Sequence, residues 1–413
     1  MTWLDLPADH PFGITNLPYG VFSTAGSSPR VGVRIGDLVL DLAAAAEQAG
    51  MESYAVWAQG SLNPFLALGR PAWTSAREWL VEQLTNPAQR DAVEPHLVPL
   101  ADVTMHLPVE VADYVDFYAS EHHATNVGRL FRPDSEPLTP NWKHLPIGYH
   151  GRSGTVVVSG TDIVRPSGQR KAPTESEPSF GPSVRLDIEA ELGFVVGGSS
   201  ELGSPVSVAD SDEHLFGVVL LNDWSARDLQ AWEYVPLGPF LGKSFATSIS
   251  PWVVTTDALR AARVPLPWQT DPAPLPYLAG EATDDGAGTA YGLDITYEVD
   301  WNGTVVSRPP YASMYWSPAQ MLAHMTVNGA TVRPGDLFGS GTISGPEKDQ
   351  RGSFLELSWG GKEPVALDDG SERTFLEDGD TVVLRATAPG PDGTVIGLGE
   401  CTGTIRPART QTP

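Results

Sequence analysis

One cysteine in 413 residues, Cys401, leaves no partner for an internal disulfide and no thiolate set for a metal cluster. That scarcity fits a reducing compartment, and the chain reads as a cytoplasmic protein. Positive charge is short as well: 26 Lys and Arg stand against 51 Asp and Glu, a formal net charge of −25. A field of that sign repels DNA, RNA and anionic lipid, so nucleic-acid and membrane-surface roles are set aside as first readings. No apolar run approaches the about 18 residues of a membrane span, and Met1 to His10 hold no basic stretch followed by an apolar one. Internal repeats and low-complexity tails are missing too, although Pro407–Pro413 reads as a frayed end.

Glycine and proline are plentiful, 42 and 37, beside 41% hydrophobic residues, which points to a mainly β chain with many turns and short helices. The length suits two or three domains, and the texture changes after Leu107-Pro108. Residues 1–108 hold short strands at Arg30–Ile35 and Leu38–Leu42 and helical stretches around Asp41–Ala49 and Ala72–Leu84, with little that looks chemical. Residues 109–413 interleave strands with Gly/Pro-rich loops bearing Asp, Glu, His, Arg, Tyr and Trp, the setting in which sites usually sit. Asp271–Gly288 reads as an exposed insertion, and Pro391-Asp392-Gly393 as the turn of a late hairpin.

Asp223 follows the apolar run Phe216–Leu221, so a buried strand ends on a carboxylate. A lone buried charge costs several kcal/mol unless a cation answers it. In Leu186-Asp187-Ile188-Glu189-Ala190-Glu191-Leu192 apolar and acidic residues alternate, a strand pattern that puts Asp187, Glu189 and Glu191 on one face. The bland reading is a solvated edge strand; against it stand Asp223 and Asp116, the latter set among aromatics in Asp113-Tyr-Val-Asp-Phe-Tyr. Carboxylates from separate segments make a hard oxygen site, better suited to Ca²⁺ or Mg²⁺ than to Zn²⁺.

Tyr114–Arg129 read as a helix puts Asp116 and His123 seven apart, near one face, and holds an imidazole by the proposed ion. After Asp223, Arg227, Gln230 and Tyr234 fall at i, i+3 and i+7 of a short helix that Ser225 could cap, and the following loop carries Lys243 among apolar residues. Together these look like a pocket for an anionic substrate.

The segments Asp116–Gly128, Leu145–Ser153, Asn222–Phe245 and Ser340–Glu347, with Asn16–Thr24 near the start, resemble the fumarylacetoacetase (fumarylacetoacetate hydrolase) family along the whole chain. The resemblance implies an SH3-like barrel over 1–108, a larger C-terminal β-roll over 109–413 and a homodimer. It implies hydrolysis of the carbon–carbon bond of a small diketo acid, 4-fumarylacetoacetate, to fumarate and acetoacetate, the last step of tyrosine and phenylalanine degradation. Asp116, Glu189, Glu191 and Asp223 would then be Ca²⁺ ligands, with a Mg²⁺ near Asp223, Lys243 and Thr247. For Lys243 only the backbone carbonyl is a plausible ligand, since its ammonium is protonated. His123 would be the general base, oriented by Glu356. Arg227, Gln230 and Lys243 would stabilise the departing carbanion, and Tyr118, Arg132, Tyr149, Gln230, Tyr234 and Thr342 would bind substrate. One departure stands beside the base: Glu121 and His122 replace the polar or basic residues expected there, which makes the local field more negative.

Two rivals come from other classes. A related acylpyruvate hydrolase, decarboxylase or isomerase acting on another oxo acid would lack the long Asn222–Phe245 motif. A non-enzymatic Ca²⁺-stabilised binding protein would turn over no diketo acid.

Overall fold

The computed structural model describes residues 2–7, 9–51, 54–267 and 269–409. The tail Gln411–Pro413 and Thr410 of the expected frayed end lie outside them.

Strands dominate, joined by short helices. The Leu215–Asp223 strand is the axis of the molecule, and all nine of its residues are buried. Such a strand needs cover on both faces, which explains its unbroken apolar run. Val218 and Leu220 enter one hydrophobic core, while Phe216, Val219 and Leu221 enter a second on the opposite face. Ala190–Val196 and Trp252–Thr255 pair with it antiparallel on either side. Beyond Ala190–Val196 lie Leu337–Gly339, then Tyr114–Phe117, then Gly148–His150.

Beyond Trp252–Thr255 the same sheet continues into Tyr19–Ser23, Arg30–Ile35, Leu38–Asp41 and Leu97–Pro99. The N-terminal and C-terminal strands therefore meet in one sheet, at Tyr19 opposite Val253 and Gly20 opposite Trp252. Gly20 is demanded there, because a Cβ would sit 2.7 Å from the Trp252 ring. A separate five-stranded sheet carries the late hairpin, Thr381–Pro389 against Val395–Arg406, and stacks its apolar face on the first core.

Several expectations hold: Arg30–Ile35 is a strand, and helices cover Leu42–Gln48 and Arg70–Thr85. Others need correction. Tyr114–Phe117 is a strand, and the helix begins only at Glu121, capped by Ser120, whose hydroxyl accepts the His123 N–H. Asp116 and His123 are thus on different elements, separated by the turn before the cap. The Asp271–Gly288 segment is only partly exposed: Leu278 is fully buried, and its carbonyl accepts from Gln320 Nε2 at 2.9 Å. Ser225 caps nothing, since the Arg227–Glu233 helix has no side-chain cap and the Ser225 hydroxyl donates to the Asp223 carbonyl.

Among the described residues no helix is long and apolar enough to cross a membrane.

Candidate active site

The central strands end together on one side of the sheet, and their ends carry the acids. Asp116 sits opposite Gly339 in the parallel pair, Glu191 lies on the neighbouring strand, and Asp223 closes the axial strand. Between Asp187 and Ala190 the chain leaves strand geometry, and the Asn222 side chain accepts the Glu189 N–H at 3.2 Å. That break turns Glu189 toward Asp116, Glu191 and Asp223, whose nearest oxygens all lie within 4.8 Å of one another. Gly339 makes room, since a Cβ there would come 2.8 Å from Glu191 Oε2.

All four acids are buried, which overturns the bland reading of a solvated face. Burial, reinforced by neighbouring carboxylates, raises the Asp116 and Glu191 carboxyls well above their usual range. Burial also raises Asp223, against the opposing pull of Lys243. Glu189 differs: burial works upward, but Lys243 and Arg227 outweigh it and hold the carboxyl below its usual range. Asp116 Oδ1 and Glu191 Oε1 are buried without a hydrogen-bond partner. Orphaned hard oxygens facing one another are what a divalent cation satisfies, so the donor set fits such an ion.

Lys243 sits against this cluster, with Nζ donating to Glu189 Oε2 and, at 2.6 Å, to Asp223 Oδ2. Burial alone would strip its proton; Asp223 and Glu189 raise its pKa instead. A protonated ammonium has no lone pair, so the Lys243 side chain is an ion-pair partner and not a metal ligand. Thr247 Oγ1 lies 3.4 Å from Asp223 Oδ1.

Asp187, expected on the face of Glu189 and Glu191, points elsewhere because the strand breaks after it. Its carboxylate accepts the backbone N–H groups of Ile188, Phe354 and Leu355, and Arg227 Nε at 2.8 Å. Arg227 also reaches Glu189 Oε1 with Nη2 at 2.8 Å and Gln230 Oε1 with Nη1 at 3.1 Å. Sequence reasoning gave Asp187 no task of its own; its pairing with the 354–355 turn is long-range and leaves no local signal.

His123 Nδ1 lies 2.7 Å from Glu356 Oε2. Burial pushes the Glu356 carboxyl up, but His123 and the side chains of Asn126 and Ser353 outweigh that and hold it below its usual range. An ionised carboxylate only accepts, so Nδ1–H donates, and in the neutral imidazole the lone pair belongs to Nε2. Nε2 faces Glu189 Oε1 at 3.9 Å. The Tyr118 ring stands edge-on to the imidazole at 5.4 Å. Glu121, the feared source of negative field, is neutralised by Lys143 at 2.6 Å.

A cavity of about 420 Å³ opens over this assembly. Asp116, Glu189, His123, Arg227 and Lys243 form part of its lining. Tyr118, Arg132, Tyr149, Gln230, Tyr234 and Thr342 are also in its wall. Thr342 Oγ1 is buried there without a partner, while one Arg132 nitrogen donates to the Pro137 carbonyl at 2.8 Å. Glu191, Asp223, Thr247 and Glu356 stand behind the wall rather than in it.

Known proteins resemble the chain along nearly its whole length. Residues 15–108 match the family described as "Fumarylacetoacetase N-terminal", and residues 113–406 match "Fumarylacetoacetate (FAA) hydrolase C-terminal". The chain is 47% identical to a fumarylacetoacetase of Homo sapiens, covering 99% of each, and 48% identical to one of Caenorhabditis elegans, covering 98% of this chain and 99% of the relative. A fumarylacetoacetase of Arabidopsis thaliana is 47% identical with 98% of each chain covered. In fold, the chain is similar to a fumarylacetoacetate hydrolase from Exiguobacterium antarcticum, with a TM-score of 0.53 at 18% identity over 95% of this chain and 100% of that one. Match and geometry together lead to one conclusion: the chain belongs to the fumarylacetoacetase family.

Proposed function

We propose that this chain hydrolyses the carbon–carbon bond of 4-fumarylacetoacetate, releasing fumarate and acetoacetate. The observation that carries this reading is one cavity lined by His123 of a His–carboxylate couple, by Asp116 and Glu189 of a buried four-carboxylate cluster, and by two cations, Arg227 and Lys243. Cleavage between two carbonyls needs a nucleophilic water, a polarised carbonyl and a held enolate.

His123 takes the proton from water at Nε2, while Glu356 stabilises the imidazolium through Nδ1–H. The hydroxide oxygen bonds to the fumaryl carbonyl carbon. Collapse of that adduct breaks the bond to the neighbouring methylene, whose electron pair delocalises as the acetoacetate enolate. Arg227 and Lys243 face this charge. Gln230 gives its carbonyl oxygen to Arg227, which leaves its amide hydrogens for a substrate oxygen. Protonation of the methylene carbon completes the uptake of one water. Tyr118, Arg132, Tyr149, Tyr234 and Thr342 bind and orient the two carboxylate ends.

Asp116, Glu189, Glu191 and Asp223 would hold Ca²⁺, with Mg²⁺ by Asp223, Thr247 and the Lys243 backbone. Such an ion polarises the diketone oxygens when bound. We assign residues 1–108 and 109–413 as the two domains. The enzyme is placed in the cytoplasm as a homodimer, for which the exposed side chains of Val235, Leu237 and Phe240 offer an apolar surface.

The test is loss of the diketone's ultraviolet absorbance on fumarylacetoacetate, with both products identified, before and after chelation. Absence of turnover by the ion-loaded protein sinks the reading, and products other than fumarate and acetoacetate transfer it to a related oxo-acid enzyme.

A further inference from the structure

Glu356 is wholly buried, and its two oxygens are held very differently. Oε2 takes three donors: His123 Nδ1 at 2.7 Å, Ser344 Oγ at 3.0 Å and Ser353 Oγ at 2.8 Å. Oε1 takes one among the described residues, Asn126 Nδ2 at 2.9 Å. Asn126 follows His123 by three positions on the Glu121–Phe131 helix, so the two side chains leave the same face one turn apart. One helix therefore grips both oxygens of a single carboxylate.

The torsion that turns a glutamate carboxylate is broad and nearly two-fold, so packing alone fixes its plane weakly. Donors at Oε2 hold one oxygen in place but let the plane swing about it. The bond at Oε1 removes that freedom. A donor to a carboxylate oxygen prefers to lie near the carboxylate plane, so the plane helps set where the imidazole's other nitrogen aims.

We propose that Asn126 is a positioning residue: by holding Glu356 Oε1 it fixes the carboxylate plane, and so aims His123 Nε2 into the cavity at the attacking water. This rests on the reading of His123 as the base. Asn126 itself is not among the residues that line the cavity.

The test compares the parent with N126A, N126D, E356Q, N126A/E356Q and H123A on fumarylacetoacetate. Asp has the shape of Asn but lacks the donor. N126A and N126D are expected to lower kcat about tenfold, the scale of a misaimed catalytic group, with KM within about twofold. In the E356Q background N126A should alter kcat less than about twofold, because the oxygen it anchors no longer belongs to a charged partner. Should N126A melt early, N126V, which fills more of the space and also lacks a donor, replaces it on the same criteria. Values of kcat within about twofold of the parent for N126D and N126A overturn the proposal. So does an equal loss from N126A in the parent and E356Q backgrounds, which marks a general structural effect. If the parent turns over and H123A does not, a silent Asn126 sinks the positioning role alone. An H123A variant as active as the parent sinks the base and this proposal together.

Discussion

Asp187 Oδ2 lies 2.8 Å from Arg227 Nε, and the same carboxylate receives the N–H groups of Phe354 and Leu355 at the start of the turn that bears Glu356. One acid thus joins the cationic arm of the cavity to the arm that orients the base. Arg227 keeps Glu189 at 2.8 Å as a second partner, so D187N should cost about 1–3 kcal/mol, less than a buried ion pair stripped of its only partner. D187N also turns amide hydrogens toward N–H donors. A urea unfolding series should show a loss of that size with an unchanged slope. A loss below about 1 kcal/mol would mean that Arg227 does not depend on this partner.

Burial first, and neighbouring carboxylates second, make the ionised forms of Asp116 and Glu191 costly in the ion-free protein, and each keeps an orphaned oxygen. Ca²⁺ at about one hundred times its dissociation constant should stabilise the fold by about 2.7 kcal/mol. In E191Q the ion-free protein should melt higher than the ion-free parent, and the rise on adding Ca²⁺ should shrink or vanish. Differential scanning calorimetry with chelator and with Ca²⁺ reads both. An E191Q variant that responds to Ca²⁺ as the parent does would remove Glu191 from the ligand set.

His123 is wedged between Glu356 and Glu189, yet supplies no oxygen to the ion cluster. H123A should therefore lower kcat by about two to four orders of magnitude, the usual worth of a general base. Ca²⁺ affinity by titration calorimetry should stay close to that of the parent. Near-normal turnover would remove His123 from the chemistry.

The chain discloses its acids more readily than their surroundings. Asp116, Glu189, Glu191 and Asp223 stand out because carboxylates inside apolar or aromatic runs violate the pattern around them, and the structure does bring them together. The cation-bearing helix is equally legible, since Arg227, Gln230 and Tyr234 follow its period and all reach the cavity. What stays hidden depends on contacts distant in sequence. The alternation at 186–192 cannot reveal that the strand breaks at Ile188, a break set by pairing of Leu186–Asp187 with Ser225–Ala226 rather than with the main sheet. The helical periodicity of 114–129 likewise conceals a strand that forms between Leu337–Gly339 and Gly148–His150. Asn126 had a signal, its spacing of three from His123, but spacing alone does not reveal the carboxylate that both would grip.

Burial raises the Asp336 carboxyl to about 6, despite the Arg333 N–H bonded to its Oδ2 at 2.9 Å. Its unfolded value is about 3.9. The folded state binds this proton more tightly, so the stability it contributes is present in full below about pH 4 and is lost as pH rises through about 6. D336N keeps an acceptor for the Arg333 N–H and carries no charge. Its melting temperature should exceed that of the parent at pH 7, with the difference closing by pH 4. A constant difference across that range would place the effect outside Asp336 ionisation.

Tyr19–Ser23 completes its hydrogen bonding on Trp252–Thr255, across the border between the two family matches. Deleting the N-terminal residues would bare a flat edge headed by Trp252, the kind of strand that recruits stray chains. The C-terminal portion could then persist alone in another protein only if something else sealed that edge. The two portions are bonded through one sheet, and heat should take them apart in one cooperative step.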